Sequence, residues 1–330
     1  MKTVLVHSPN WLGDVVMALP AWRKWRDAHR DCRVFVLAKK SVAGIWAFAR
    51  DVDGVVTLAP GGEGMRAAVR ELRELKCDEA IVLPHSFRAA YLVWRGGAGR
   101  IRGTAGQFRF PFVTDRVSIS DLADAHQQLE YARLFGVEGD LPSPAAAIDP
   151  AKLPTFECGV PLGESLVILP GAARGGSKRW PWEHFSAVAG CALGAGVVRH
   201  VLVCGTPGEA AECAAVAEAV AAGKAGAVTN LCGKTRLGEL AFVLSKCRAV
   251  CSNDSGGMHL ATAMGVPVVA VFGLTDPAKT GPLGRSAVVA AEGVKVSRAI
   301  PRESAAATCA LLSVKPERVF KALQEVLANG

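Results

Sequence analysis

Four short stretches carry residue types that group transfer needs. In HSPNWLGDVVMALP, Asp14 follows Gly13 at the start of an apolar helical run, and in LPGAARGGSKRWPWEHF, Ser177, Lys178 and Arg179 close a glycine-rich loop. VCGTPGEAAE turns at Gly205 to Gly208 and opens a helix at Glu209. SNDSGGMHLATAMG places Asp254, Ser255 and Gly256 ahead of a helix that carries His259. A carboxylate can take a proton from an attacking hydroxyl. Glycines let a backbone approach a phosphate, and a lysine beside a hydroxyl neutralises and hydrogen-bonds it. A carboxylate at a strand-to-helix turn can accept both hydroxyls of a ribose, and Ser255 and His259, one helical turn apart, share a face.

Each group also has a plainer role open to it. Asp14 can simply favour a helix N-terminus, the glycine-rich loop can be a solvated turn, and Glu209 can serve only the helix dipole. Asp254 or Ser255 can be an N-cap with a satisfied, half-buried His259 behind it. The combination favours a site: the loops of Lys178, Glu209 and Asp254 all end strands of one domain, and together they offer basic, ribose-accepting and diphosphate-binding groups. Asp14 belongs to the other domain, across a cleft. Spacing argues against several classes, since there is no GxGxxG fingerprint, no GxxxxGK[ST] loop, no HExxH or Cys/His metal spacing and no GxSxG elbow. Neither a metal site nor a cofactor is expected.

The groups must be positioned by parallel sheets covered by helices. Short β-branched runs alternate with amphipathic ones: TVLVHS, a helix from about Val15 to Ala28, RVFVLA, a helical stretch to Arg50, GVVTLA, MRAAVRELREL and EAIVLP. The periodicity lapses in DPAKLPTFECGVPLGES, a linker composition that sets a boundary near Pro154. It resumes with LVILP, RHVLVCG, GAVTNLCG, AVCSN and VPVVAVFG. The expectation is an α/β protein of two Rossmann-like, doubly wound domains, residues 1–154 and 155–330, facing a cleft. The closing KPERVFKALQEVLA has an apolar stripe at Val319, Phe320, Leu323, Val326 and Leu327, and is expected to pack back across both domains.

Composition bounds the partners. Half of the 330 residues are hydrophobic and 21% are charged, which fits a sizeable core. The net charge of +8, from 38 basic and 30 acidic residues, suits an anionic partner but is too diffuse to indicate nucleic acid. Ten scattered cysteines without a CxxC pair read as reduced core residues of a cytoplasmic protein. MKTVLVHSPNW enters a strand at once with no export signal, and no apolar run nears the ~20 residues of a membrane helix. Any membrane contact is expected to be peripheral.

NWLGDVVMALP, LPHSFRAAYLVWRGGAGRIRG, PGAARGGSKRWPWEHF and SNDSGGMHLATAMGVPVVAVFG, in this order, resemble the ADP-heptose:lipopolysaccharide heptosyltransferases of glycosyltransferase family nine. The likeness runs from the first strand through CALLSVKPERVF to the last helix. It implies a GT-B fold, with the nucleotide sugar in the C-terminal domain and the acceptor in the N-terminal one. It also implies inverting, metal-independent transfer of heptose from ADP-L-glycero-D-manno-heptose. By motif position, Asp14 would be the general base and Lys178 would neutralise the leaving diphosphate, while Ser177, Glu209, Asp254, Ser255, Gly256 and His259 would bind the donor. The arginine-rich stretch PHSFRAAYLVWRGGAGRIRGTAGQFR looks more like the branch that adds the second inner-core heptose. On that likeness Asn10, Arg88, Arg100 and Arg102 would face a phosphorylated lipid A-core acceptor at the inner face of the inner membrane. Gly257 stands where the family usually has a bulkier apolar residue. Three alternatives stay open: a family-nine transferase with another acceptor, such as the one that adds the first heptose; a GT-B nucleotide-sugar epimerase; and a nucleotide-sugar binding protein without chemistry.

Overall fold

The structure, a computed structural model, describes residues 1–296 and 301–329. The chain forms two compact units, Met1–Lys152 and Leu153–Gly330. In the first, β1 (Thr3–His7), β2 (Arg33–Lys39), β3 (Gly54–Leu58), β4 (Glu79–Val82), β5 (Arg100–Thr104) and β6 (Asp115–Val117) make one sheet, ordered β3-β2-β1-β4-β5-β6. All its pairings are parallel. Its helices are α1 (Leu12–Ala28), α2 (Lys40–Phe48), α3 (Gly61–Leu75), α4 (Phe87–Arg95) and α5 (Gln128–Phe135). Every residue of β1 is buried, as in a strand covered on both faces.

The helix expected from Val15 begins at Leu12, so Asp14 falls within its first turn, where the unpaired N–H groups favour an acid. Aromatic packing fixes α1. The Trp22 ring lies 5.8 Å from Trp25, 5.8 Å from Trp46 on α2 and 6.3 Å from Phe135 on α5. Trp46 Nε1 donates to Ser8 Oγ at 2.7 Å, which ties α2 to the loop after β1.

In the second unit, β7 (Ser165–Leu169), β8 (His200–Val203), β9 (Val228–Asn230), β10 (Ala249–Asn253), β11 (Val268–Phe272) and β12 (Ser286–Ala290) are ordered β12-β11-β10-β7-β8-β9, again all parallel. Its helices are α6 (Trp182–Gly194), α7 (Ala210–Gly223), α8 (Leu237–Lys246), α9 (Gly256–Ala263), α10 (Pro277–Thr280), α11 (Ala305–Ser313) and α12 (Pro316–Ala328). Each sheet therefore reverses direction once, between β1 and β4 and between β7 and β10, and ligands of such sheets bind beyond the strand ends at that reversal.

The final helix sets its stripe on the sheet of its own unit. α12 packs on α6, β10, β11 and β12 and buries Val319, Leu323 and Val326. The Arg285 guanidinium donates to the carbonyls of Val326 and Leu327 at 2.9 and 3.1 Å and so closes the helix end. All ten cysteines are free thiols, and burial pushes Cys204 and Cys251 up to about 12. Cys191 and Cys309 depart from the expected core placement and are exposed.

Candidate functional site

In the second unit the polar corner at the end of β10 is tied to the glycine-rich loop by Asn253. Its Nδ2 donates to Pro170 O at 2.7 Å and its Oδ1 accepts from Trp180 N at 2.9 Å, so one buried amide grips both ends of that loop. Between them a short turn, Gly176–Lys178, presents the lysine. Gly175 adopts φ 98°, a left-handed backbone suited to glycine, and a side chain there would meet Arg302 O at 2.8 Å. Lys178 Nζ reaches Asp254 Oδ2 at 2.5 Å, and Thr275 Oγ1 donates to the same oxygen at 2.6 Å. Lysine and aspartate are brought together as expected, but as an ion pair. Ser177 is buried with its Oγ unpaired among the described residues. Arg179, the loop's other cation, is held by Glu212.

Ser255 occupies the N-cap position of α9 without a side-chain cap bond, and its hydroxyl lies 3.3 Å from Ser252 Oγ. Gly256 begins the helix, and His259, 4% exposed, sits one turn on with its N–H directed to Ser255 O at 3.4 Å. Glu209 serves a structural role: its Oε2 accepts from Thr206 N at 2.7 Å and Thr206 Oγ1 at 2.9 Å, a capping box. Its other carboxylate oxygen lies over Gly171, where an added Cβ would come within 2.0 Å of it. Only glycine at position 171 lets this acid stand beside the start of the lysine loop. Lys178, Glu209 and Asp254 thus lie in the loops that follow β7, β8 and β10 of one sheet, with Asp254 just ahead of α9.

In the first unit, Asp14 is half-buried and is not the N-cap, a position held by Trp11. Gln127 Nε2 donates to Asp14 Oδ1 at 2.7 Å and Tyr131 OH to the same oxygen at 3.0 Å, and among the described residues Oδ2 has no hydrogen-bond partner. Burial, then the adjacent Asp14, hold the Tyr131 hydroxyl well above its ordinary range, so it remains a donor. Burial, then the Arg109 charge, lowers the His85 pKa, with the Asp14 charge opposing them.

Beyond the ends of β1 and β2 lies a cavity of about 680 Å³. His7, Asn10, Lys39, Lys40, Ser41, Ser86 and Arg88 supply its polar lining, which holds no carboxylate among the described residues. Helices α2, α3 and α4 begin at its rim, so unpaired N–H groups add to the three cations. The surroundings suit an anion. His7, buried, is lowered to about 4 by desolvation and is neutral there. Asn10 and Arg88 line this cavity; Arg100 and Arg102, expected to face the same acceptor, do not. Arg100 opens β5 and Arg102 is its middle residue; both pair with Asp115, at 2.8 and 2.7 Å, and neither lines the cavity. Arg102 also donates to Leu134 O at 2.8 Å.

Residues 65–306 match the sequence profile of glycosyltransferase family 9 (heptosyltransferase). The chain belongs to this family. It is a glycosyltransferase with the GT-B arrangement of two Rossmann-like units. It is 27% identical to a lipooligosaccharide heptosyltransferase 2 of Haemophilus influenzae, over 99% of each chain. It is 26% identical to the lipopolysaccharide heptosyltransferase 2 of Escherichia coli, over 98% of each. Among solved structures, E. coli ADP-heptose lps heptosyltransferase II superposes with TM-score 0.80 at 23% identity, covering 100% of this chain and 99% of that one. E. coli heptosyltransferase WaaC with ADP gives 0.78 at 23% identity, covering 98% and 100%.

In this family 9 glycosyltransferase Gly257 is closely packed. A Cβ there would lie 2.8 Å from Leu169 Cδ1, so the leucine that ends β7 fills the space a larger residue needs. Sequence reasoning missed Gln127 and Tyr131, more than a hundred positions from the carboxylate they hold. It also missed Thr275 and the Asn253 tie. Lys39 and Lys40 carried a usable signal, a basic pair where a strand passes directly into a helix.

Proposed function

We propose that this chain transfers heptose from ADP-heptose to the heptose already present on a lipopolysaccharide inner-core acceptor, with inversion and without a metal ion. The single observation that carries the reading is the contrast of groups. A carboxylate with one free oxygen, Asp14, lies in one unit, and a lysine held beside a helix N-terminus, Lys178 with α9, lies in the other. The relatives named for heptosyltransferase 2, matched over nearly their whole length, support the choice of sugar and acceptor.

In the proposed reaction the acceptor oxygen forms a bond to the anomeric carbon, the bond from that carbon to the phosphate oxygen breaks, and ADP leaves with the electron pair. Asp14 Oδ2 takes the hydroxyl proton. Lys178 and the N–H groups that open α9 stabilise the charge on the diphosphate. Glu209, through the oxygen over Gly171, receives the ribose hydroxyls, and Ser177, Ser255, Gly256 and His259 line the donor. Asn10, Arg88, Lys39 and Lys40 take the anionic acceptor; Arg100 and Arg102 have no part in it. The enzyme works as a peripheral protein on the cytoplasmic side of the membrane that holds its lipid acceptor.

The test is incubation with ADP-heptose and Kdo-lipid A bearing one heptose, followed by mass spectrometry of the acceptor. Gain of one heptose is expected. Transfer only to acceptor without heptose would move the enzyme to the first-heptose step. Epimerisation of the donor in the absence of acceptor would overturn the transfer reading.

A further inference from the structure

The first unit carries an aromatic and basic face that the reaction does not use. Phe87, Trp94, Phe108 and Phe110 are 45%, 48%, 83% and 56% exposed and fall within one stretch of the chain. Phe87 and Trp94 join half-buried Tyr91 and Phe112 in one cluster, the Phe112 ring lying 5.4 Å from Phe87, 5.5 Å from Tyr91 and 5.2 Å from Trp94, and Phe108 and Phe110 lie in the loop that leads into Phe112. Soluble surfaces rarely gather large rings in this way without a partner.

The loop after β5 is built to present two of these rings. Gln107 and Phe108 both adopt a left-handed backbone, φ 59° and 58°, which is unfavourable for residues with side chains. Arg109 between the phenylalanines turns inward, buried, and donates to Gly106 O at 2.8 Å, Pro84 O at 3.2 Å and the Thr104 hydroxyl. The arginine anchors the loop, and its neighbours Phe108 and Phe110 are exposed.

Next to the rings, between α3 and α4, runs a groove of about 360 Å³. Its floor is Met65, Val69, Tyr91 and Leu92; its edges carry Arg66, Arg70, Arg73 and Arg95 against one acid, Glu63. Among the described residues none of these arginines has a carboxylate within ion-pair distance. Arg95 donates to Tyr91 OH at 2.9 Å and lies over that ring, so cation and aromatic surface are interleaved.

We infer that this face docks on a bilayer containing anionic phospholipids, with Phe108 and Phe110 entering the interfacial region and the α3–α4 arginines meeting the headgroups. Aromatic rings favour that interface, and basic side chains near it gain from negative surface charge. A second copy of the chain fits less well, because a two-fold contact through this face would set the same unneutralised arginines against each other. The inference goes beyond the reaction proposed above and does not depend on it, since docking requires neither donor nor acceptor.

The test is co-sedimentation of the full chain with vesicles of phosphatidylcholine, and of phosphatidylcholine mixed with phosphatidylglycerol, at low and high salt. Binding to the mixed vesicles, weakened by salt, is expected. The pair Phe108→Asn and Phe110→Ser should lower it by about tenfold or more while melting and heptose transfer to a soluble acceptor stay as in the parent. Asparagine tolerates the left-handed backbone. Arg70→Gln with Arg73→Gln, also on the surface, should lower binding by about fivefold per arginine and flatten the salt dependence. Undiminished binding by either pair, or equal binding to neutral vesicles, would overturn the proposal. So would a dimer in sedimentation velocity that the phenylalanine pair abolishes, which would assign the face to a second copy.

Discussion

The two sheets run in the same order, so their ends can be compared position by position, and they are finished differently. The strand that opens the first sheet ends in His7, which lines a cavity of about 680 Å³. Its counterpart in the second ends in Leu169, packed where a side chain on Gly257 would lie. The cations of the first end, Lys39, Lys40 and Arg88, lack a carboxylate partner among the described residues, whereas Lys178 at the second is paired with Asp254 before any ligand arrives. The carboxylates differ as well. Asp14 accepts from two neutral donors on one oxygen, whereas Asp254 is ion-paired with the lysine. The loop after the first strand of each unit thus carries an acid without a cation beside it, Asp14, in the first unit and a lysine already paired with the acid after β10, Lys178, in the second.

The sharpest way to break this comparison is Asp14→Asn. The amide oxygen can still accept from Gln127 and Tyr131, so local structure is preserved, but the group can no longer take a proton. The expected result is a fall in kcat of about 10²- to 10⁴-fold, the usual worth of a general base, with ADP affinity by calorimetry unchanged. Activity within a few-fold of the parent would reduce Asp14 to a helix-end residue.

Lys178→Met tests the other carboxylate, and its first effect is on stability. It strands Asp254, which is 7% exposed at its side chain, beside Thr275 alone. Removing one member of a buried pair costs about 3–5 kcal/mol. Adding Asp254→Asn should recover most of that loss in denaturant melts while leaving transfer impaired, because the cation for the diphosphate is still missing. If the double variant is no more stable than the single one, the pair is not the unit the geometry describes.

The comparison also explains what the sequence could reveal. Alternating β-branched and amphipathic runs made both sheets legible, because strands buried on both faces must be continuously apolar, as in β7 and β11. Lys178, Asp254 and Glu209 were legible because each follows a strand in its own loop, where local chemistry and topology coincide. The supports of Asp14 were not, since Gln127 and Tyr131 reach it only once α5 packs on α1 through the Trp22, Trp25 and Phe135 rings. Arg100 and Arg102 misled for a related reason. A run of arginines shows charge, but strand direction decides which end of β5 bears it, and Asp115 on the neighbouring strand takes both.

The smallest expected effect concerns His7 itself. Burial lowers its pKa from 6.5 to about 4 in the folded chain. Between those values the unfolded chain binds a proton that the folded one excludes, so the stability present above pH 6.5 is lost as pH falls towards 4. A shift of this size corresponds to roughly 3 kcal/mol. His7→Leu copies the residue that ends β7 and removes the titration, so the loss of stability between neutral pH and pH near 4, read from denaturant midpoints, should shrink by about that amount. At neutral pH the variant should melt close to the parent, because the buried imidazole is uncharged there. An acid sensitivity that survives the substitution in full would mean that His7 shares the cavity with water and that the first sheet's end is wetter than its burial implies.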